Sequence, residues 1–413
     1  MGTRVRDRSR AANRDLAAQT SHAEVGFDAA SESSRESVRQ ERHAMEIKGR
    51  FATAKVFARS IENEALLQIK AICDNELYEG QTIRIMPDVH AGKSALVGFT
   101  TRIGAKVNPW LIGVDIGCGL RTTRLGKVRL DCDKLDRFVR RHVPHGSDRH
   151  DEFDPSGFDE GFLRRVEDVC LRIGVDASSH LRSLGTLGGG NHFLEIDRSE
   201  DGASWLVVHS GSRTFGYAVA NHHQKLATEH SRREGTSVRS PWLEGEALAA
   251  YLGDLAVAQE FAANNRREMS RRILRHLRVD PGVEAFETVH NYIDLEAGVL
   301  RKGAVSARLG ERIAVPLNMR DGVVLARGLG EEDWNWSAPH GAGRKMSRTK
   351  ARETIDLDAY RRSMRGVWTS SVSERTLDEA PQAYKPSKEI LELLPQTADI
   401  EQVLVPVWNF KAG

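Results

Sequence analysis

A histidine on a glycine-rich turn with two arginines close behind is the arrangement that lets an imidazole attack a phosphate, and residues 337 to 348 supply one. There Pro339-His340-Gly341-Ala342-Gly343-Arg344 is followed by Arg348. The glycines let the backbone approach an anionic ligand, and Arg344 and Arg348 can supply bidentate donors to phosphate. By itself a His beside Gly is an ordinary loop residue, so the segment gains meaning only from its company.

That company is a set of metal-ligand types. Asp115-Ile116-Gly117-Cys118-Gly119 places a carboxylate and a thiol three residues apart around a glycine. His192 follows Gly188-Gly189-Gly190-Asn191, His209 closes the apolar run Val207-Val208 and precedes Ser210-Gly211-Ser212-Arg213, and His290 follows Glu287-Thr288-Val289. An Asp, a Cys and three His at strand ends or glycine turns make a mixed O/N/S set suited to Mn²⁺, Fe²⁺, Co²⁺ or Zn²⁺. Taken singly, each His reads as a hydrogen-bonded core residue and Cys118 as a small buried hydrophobe. His142, His145, His150, His222, His223 and His276 read as surface or helix-face residues. Gly92-Lys93-Ser94 imitates the end of a P-loop, but Pro87 stands where that motif needs its first glycine, so no Walker-type site is expected.

The elements that must hold these residues follow from periodicity. Ile61 to Ile72 carries apolar residues at helical spacing, and Gln224 to Leu277 reads as helix with a break around 232 to 241. Apolar runs at 83–86, 96–100, 111–114 and 121–125, separated by Gly, Pro and Asn, predict strands joined by tight turns. The Asp321-Gly322 step predicts a hairpin between 313–318 and 323–326. Residues 145–160 read as a surface loop. Strands and helices mix without β-α-β alternation, so the expected class is α+β, with mixed sheets flanked by helices over 45–413. Residues 1–44, rich in Arg, Ser and Ala with few large apolar side chains, are expected to be a disordered tail.

Composition narrows the setting. The chain has 413 residues, 40% of them hydrophobic, enough for a large core. It holds no membrane-length apolar run and no secretory leader, and its four cysteines form no C-x-x-C pair, so a cytoplasmic protein without a disulfide framework is expected. A net charge of +2 neither requires nor excludes a nucleic-acid partner.

With Met86-Pro87-Asp88-Val89-His90, Arg301-Lys302-Gly303-Ala304 and Ala383-Tyr384-Lys385 added, the motifs stand in the order found in the RtcB family of RNA ligases, which the chain resembles from about Met45 to Gly413. The resemblance implies joining of an RNA 3′-phosphate or 2′,3′-cyclic phosphate to a 5′-hydroxyl, with GTP and two Mn²⁺ ions, in RNA repair or tRNA splicing. His340 would be the nucleophile that takes GMP, and Asp88 the carboxylate that fixes its tautomer. Cys118 would be shared by two ions, with His209 and His290 completing one site and Asp115 and His192 the other. Asn191, Phe193, Glu195, Ala342, Gly343, Tyr384 and Lys411 would form the guanylate pocket, and Arg213, Arg344 and Arg348 would contact phosphate or RNA. The implied partners are RNA and an archease-like activator, with the protein a monomer off any membrane.

The chain departs from the family pattern at Ser94, at Leu300 and at Leu317-Asn318-Met319-Arg320, the last beside the expected nucleotide. Trp334 and Trp336 are read as packing under the His340 turn, with an RNA-stacking platform as the alternative. Two further functions compete with ligation: a metal-dependent phosphoesterase that opens cyclic phosphates, and a non-catalytic RNA-binding relative.

Overall fold

A computed structural model describes residues 44–92, 95–235 and 240–412. The expected tail, apart from Ala44, lies outside the described residues, as do Lys93 and Ser94. Two mixed sheets carry the fold. One has the order Met45–Lys48, Thr53–Val56, Ile83–His90, Val97–Arg102, Val299–Lys302, Asn291–Asp294. The larger runs Arg312–Asn318, Gly322–Gly328, Ala398–Lys411, Phe193–Arg198, Ser204–Ser210, Gly119–Gly126, Ala285–Val289, and Trp368–Thr369 pairs alongside Ala398–Lys411. A two-stranded ladder of Ala304–Ser306 with Ser337–Pro339 delivers the His340 turn. Neighbouring strands are mostly antiparallel, and helices interrupt them without regular β-α-β alternation, so the class is α+β.

The long helix Gly245–Leu277 packs against Gly119–Gly126 and Ser204–Ser210 of the larger sheet. Its neighbours Cys132–His142 and Glu160–Ile173 begin where Asp131 and Asp159 accept backbone N–H groups of Lys134 and Phe162, the usual N-cap arrangement. Helix Asn63–Cys73 buries Ala65 and Ile69 of the expected stripe, with Ile61, Leu66 and Ile72 partly buried and Cys73 buried beside them. Its core is continuous with Ile83, Ile85 and Phe99 of the smaller sheet. No described helix is long and apolar enough to cross a membrane.

Three readings need correction or refinement. Residues 111–114 form turns, not a strand: Leu111 and Ile112 are buried, but their backbone closes locally through Leu111 N–H to Asn108 and Gly113 N–H to Trp110. A short apolar run reports burial and not ladder formation. The helical region starts earlier, at Arg213, and holds the helices Arg213–Arg233 and Gly245–Leu277. His223 is not on the surface; it is 1% exposed, and its Nε2 lies 2.8 Å from the buried carboxylate of Asp254, joining two helices.

Trp334 is 3% exposed and stacks on Phe57 at 3.8 Å between ring centroids, with Met86 and Ala304 around it, so it is packing. Trp336 is half-buried with the Arg102 guanidinium 4.9 Å from its ring. Removing the Trp334 ring leaves a cavity in a small satellite core, and Trp334→Ala is expected to cost about 3–5 kcal/mol in urea unfolding.

Candidate active site

Four turns meet at one edge of the larger sheet. Cys118 precedes strand Gly119–Gly126, His192 precedes Phe193–Arg198, His209 sits near the end of Ser204–Ser210, and His290 follows Ala285–Val289. The Cys118 and His290 turns are tied by their backbones: Gly117 N–H donates to Asn291 at 2.7 Å and His290 N–H to Cys118 at 2.9 Å. Gly117 has φ of +70°, and a Cβ there would lie 2.8 Å from Ala262 Cβ, so only glycine lets the turn reach the helix.

The ligand atoms converge in two overlapping groups, Cys118/His209/His290 and Asp115/Cys118/His192, with the sulfur common to both. Cys118 Sγ is 3.3 Å from His209 Nε2 and 3.5 Å from His192 Nε2, and His209 Nε2 is 3.0 Å from His290 Nε2. His192 Nε2 lies 2.9 Å from Asp115 Oδ2. The rear nitrogens are engaged: His192 Nδ1–H donates to Leu187 at 2.9 Å and His209 Nδ1–H to Asn191 at 3.1 Å, leaving their Nε2 lone pairs to the centre. Burial holds His209 and His290 well below the ordinary imidazole range, so both are neutral donors. Burial, then the Asp115 charge, pushes the Cys118 thiol up; burial would also raise Asp115, but the adjacent His192 outweighs it and the carboxyl lies below its usual range. Converging sulfur, nitrogen and oxygen donors, with at most one proton to share between two facing rings, fit divalent cations of the borderline class.

His340 stands beside this cluster, its ring 4.8 Å from that of His290. Asp88 is fully buried; its Oδ2 accepts the backbone N–H groups of His340 and Gly341 at 3.0 and 3.2 Å and lies 2.5 Å from His340 Nδ1. The carboxylate therefore claims one ring nitrogen and leaves Nε2 for an electrophile. Gly343, at φ +74°, lets the turn close on Asp88: a Cβ there would fall 2.4 Å from the Asp88 carbonyl oxygen.

His340 opens into a cavity of about 580 Å³. Its lining includes Asn191, Phe193, Glu195, Ala342, Gly343 and Tyr384, together with Lys411, Arg344 and Arg348. The residues expected for the nucleotide are thus brought together. Arg344 and Arg348 are already engaged: Arg344 Nη2–H donates to the Asp378 carbonyl at 2.7 Å, and Arg348 Nη1–H to Glu379 at 2.6 Å. Arg213 lies apart from that cavity's lining, with φ of +54°, donating to Thr186 and Gly146.

Residues 77–412 match the family model described as tRNA-splicing ligase RtcB. The chain belongs to the RtcB family. Among RtcB relatives, the RNA-splicing ligase RtcB of Escherichia coli K12 is 33% identical over 343 residues, covering 73% of this chain and 83% of that protein. RNA-splicing ligase RtcB of Mycobacterium tuberculosis is 27% identical, covering 78% of this chain and 95% of that protein. The tRNA-splicing ligase RtcB of Aeropyrum pernix is 24% identical over 73% of this chain.

This RtcB chain also uses residues that motif reading missed. Arg266, fully buried, donates from Nη1 to the carbonyls of Gly117 at 2.7 Å and Ser210 at 2.8 Å, each one residue from a cluster histidine or cysteine. Asn265 donates to Gly211 at 3.0 Å and accepts from Thr186 N–H at 3.0 Å. The signal was present as an Asn-Arg pair between Phe261, Ala262 and Met269, an interruption of an apolar helical face. His90, whose Nδ1–H donates to the Asp88 carbonyl at 3.0 Å, lines the same cavity as His340.

Proposed function

We propose that this chain is an RNA ligase that joins a 3′-phosphate or 2′,3′-cyclic phosphate to a 5′-hydroxyl using GTP and Mn²⁺, with residues 45–413 as the catalytic domain. The observation that carries the reading is the Asp88–His340 pair, set 4.8 Å from a cluster histidine and facing a cavity that can seat a nucleotide. His340 Nε2 attacks the α-phosphorus of GTP, pyrophosphate leaves, and the imidazole carries GMP as a phosphoramidate. Asp88 holds Nδ1 and stabilises the ring as it gains positive character. GMP then passes to the RNA 3′-phosphate, any cyclic phosphate having been opened by water, and the 5′-hydroxyl displaces GMP to seal the strand. Two divalent cations held by Asp115, Cys118, His192, His209 and His290 would neutralise phosphate oxygens and polarise the attacked phosphorus.

In this reading Glu195 and Lys411, which line the cavity, offer polar groups to the guanine edge, and Tyr384 offers its ring to the guanine face. The four cysteines are unpaired, which suits a reducing cytoplasm. A monomeric state and an archease-like activator follow from the family resemblance. The deciding assay offers an RNA pair with 3′-phosphate and 5′-hydroxyl ends, with and without GTP and Mn²⁺. A joined product that needs both is expected; opened cyclic phosphate without joining would favour the phosphoesterase.

Glu195 makes nucleotide binding sensitive to pH. Burial raises its carboxyl to about 7, and its contacts with Asp197 and Asn409 offset that only partly. Below that value the protonated acid loses acceptor capacity for the ring N–H and amino groups of guanine; above it the carboxylate offers both oxygens. The KM for GTP is therefore expected to rise as pH falls from 8 to 6, by at most about tenfold per unit for one linked proton. Glu195→Gln should flatten that dependence; an equally steep profile in the variant would assign it elsewhere.

A further inference from the structure

Side chains of the nucleotide cavity converge on one buried carboxylate that the reading above leaves without a role. Glu379 is 2% exposed. Its oxygens accept from the Tyr384 hydroxyl at 2.6 Å, Lys411 Nζ at 2.9 Å and Arg348 Nη1 at 2.6 Å, and Arg344 Nη1 lies 3.5 Å away. Tyr384, Lys411, Arg344 and Arg348 all line the cavity, and Glu379 stands behind them. Burial opposes its charge, but Lys411, Arg348 and Arg344 together more than offset that and hold the carboxyl down at about 2. The neighbouring Asp378 completes the arrangement, taking Arg348 at 2.7 Å and Arg352 at 3.1 Å.

The consequence is geometric. A lysine and an arginine have long, rotamer-rich side chains, and unpaired in a cavity they would lose much of their binding energy to ordering. Held on a common anion they are preset. Lys411 is further fixed by the Asn191 carbonyl at 3.3 Å and lies 5.4 Å from the centre of the Phe193 ring, so its ammonium is aimed before any ligand arrives. Arg348, by contrast, is drawn toward the two acids.

We propose that Glu379 is the positioning residue of the nucleotide pocket, fixing Lys411 and Tyr384 for the guanine base and holding Arg348 back from the triphosphate. The inference rests on the guanylate reading of the cavity. Glu379 acts through its partners and touches no substrate atom.

The test is steady-state labelling of the full-length protein by α-labelled GTP with Mn²⁺, alongside a calorimetric Mn²⁺ titration. Glu379→Gln keeps the side-chain volume and removes the charge. It is expected to raise the KM for GTP by about 10- to 100-fold, the usual weight of a charge-assisted hydrogen bond, with kcat within about threefold and Mn²⁺ binding unchanged. Lys411→Met should show a similar rise, and adding Glu379→Gln to it should worsen KM by less than about threefold, because the two act as one unit. An unchanged KM in Glu379→Gln overturns the inference. So does a parallel loss of Mn²⁺ binding, which marks a general structural role, or full additivity in the double variant. If the wild-type protein takes no label, the guanylate reading falls and the inference falls with it; the wild-type lane alone separates the two failures.

Discussion

His340→Ala is expected to fold, to bind Mn²⁺ as the wild type does, and to take up no label from α-labelled GTP. The wild-type label should be lost in acid and survive alkali, the behaviour of a phosphoramidate. The loss in the variant should exceed about 1000-fold, because removing a covalent nucleophile removes the step itself and not a share of its rate. The fold should survive because the ring is only partly buried and the turn is held from its backbone, through two N–H groups on Asp88. Asp88→Asn separates nucleophile from orientation. An amide oxygen can still accept the two N–H bonds, but it offers the ring a different hydrogen-bonding pattern, so labelling should fall by about 100- to 10⁴-fold with the turn intact. Label persisting in His340→Ala would move the covalent site elsewhere and end the reading.

The second large effect is asymmetric. Because Cys118 belongs to both ligand groups, Cys118→Ala should weaken both Mn²⁺ sites by more than about 100-fold, whereas His290→Ala should spare the site built on Asp115 and His192. Calorimetric titration of the metal-free protein should count two ions for the wild type, none for Cys118→Ala at micromolar Mn²⁺, and one for His290→Ala. Equal stoichiometry in the two variants would show that the sulfur is not shared. Stability need not follow the same order, since Cys118 is a small side chain and its backbone N–H and carbonyl keep their partners.

The residues that cluster, Asp115, Cys118, His192, His209 and His290, stand out in the sequence because each has a glycine or a strand end beside it. The hairpin at Asp321-Gly322 is legible for the same reason, and the helix Asn63–Cys73 from the spacing of its apolar residues. Glu379 is not: its partners lie 5, 31 and 32 residues away, and nothing in Asp378-Glu379 distinguishes a pocket anion from a surface acid until the chain has folded. His223 misleads in the opposite sense, because a histidine on a helix reads as exposed until the Asp254 that neutralises its burial is seen on another helix. Residues 111–114 show a third limit, that apolar content reports burial and leaves open whether the backbone pairs in a ladder or closes in a turn. The departure at Leu317–Arg320 also changes meaning. Leu317 and Met319 are buried and Arg320 pairs with Asp321, but Leu317, Asn318 and Met319 also line the cavity beside His340, so the departure stands in the pocket wall.

The chemistry sits on seams. Asp88 comes from the smaller sheet, His340 from the two-stranded ladder, and Cys118, His192 and His209 from the larger sheet, with 252 residues separating Asp88 from the backbone it anchors. Contacts that join residues so far apart in sequence slow folding. Cys118, His192, His209 and His290 gather at one edge of the larger sheet, whereas His340 is oriented only where its ladder meets Asp88 of the smaller one. A molecule opened at that seam therefore keeps its side-chain cluster and loses the carboxylate that orients His340.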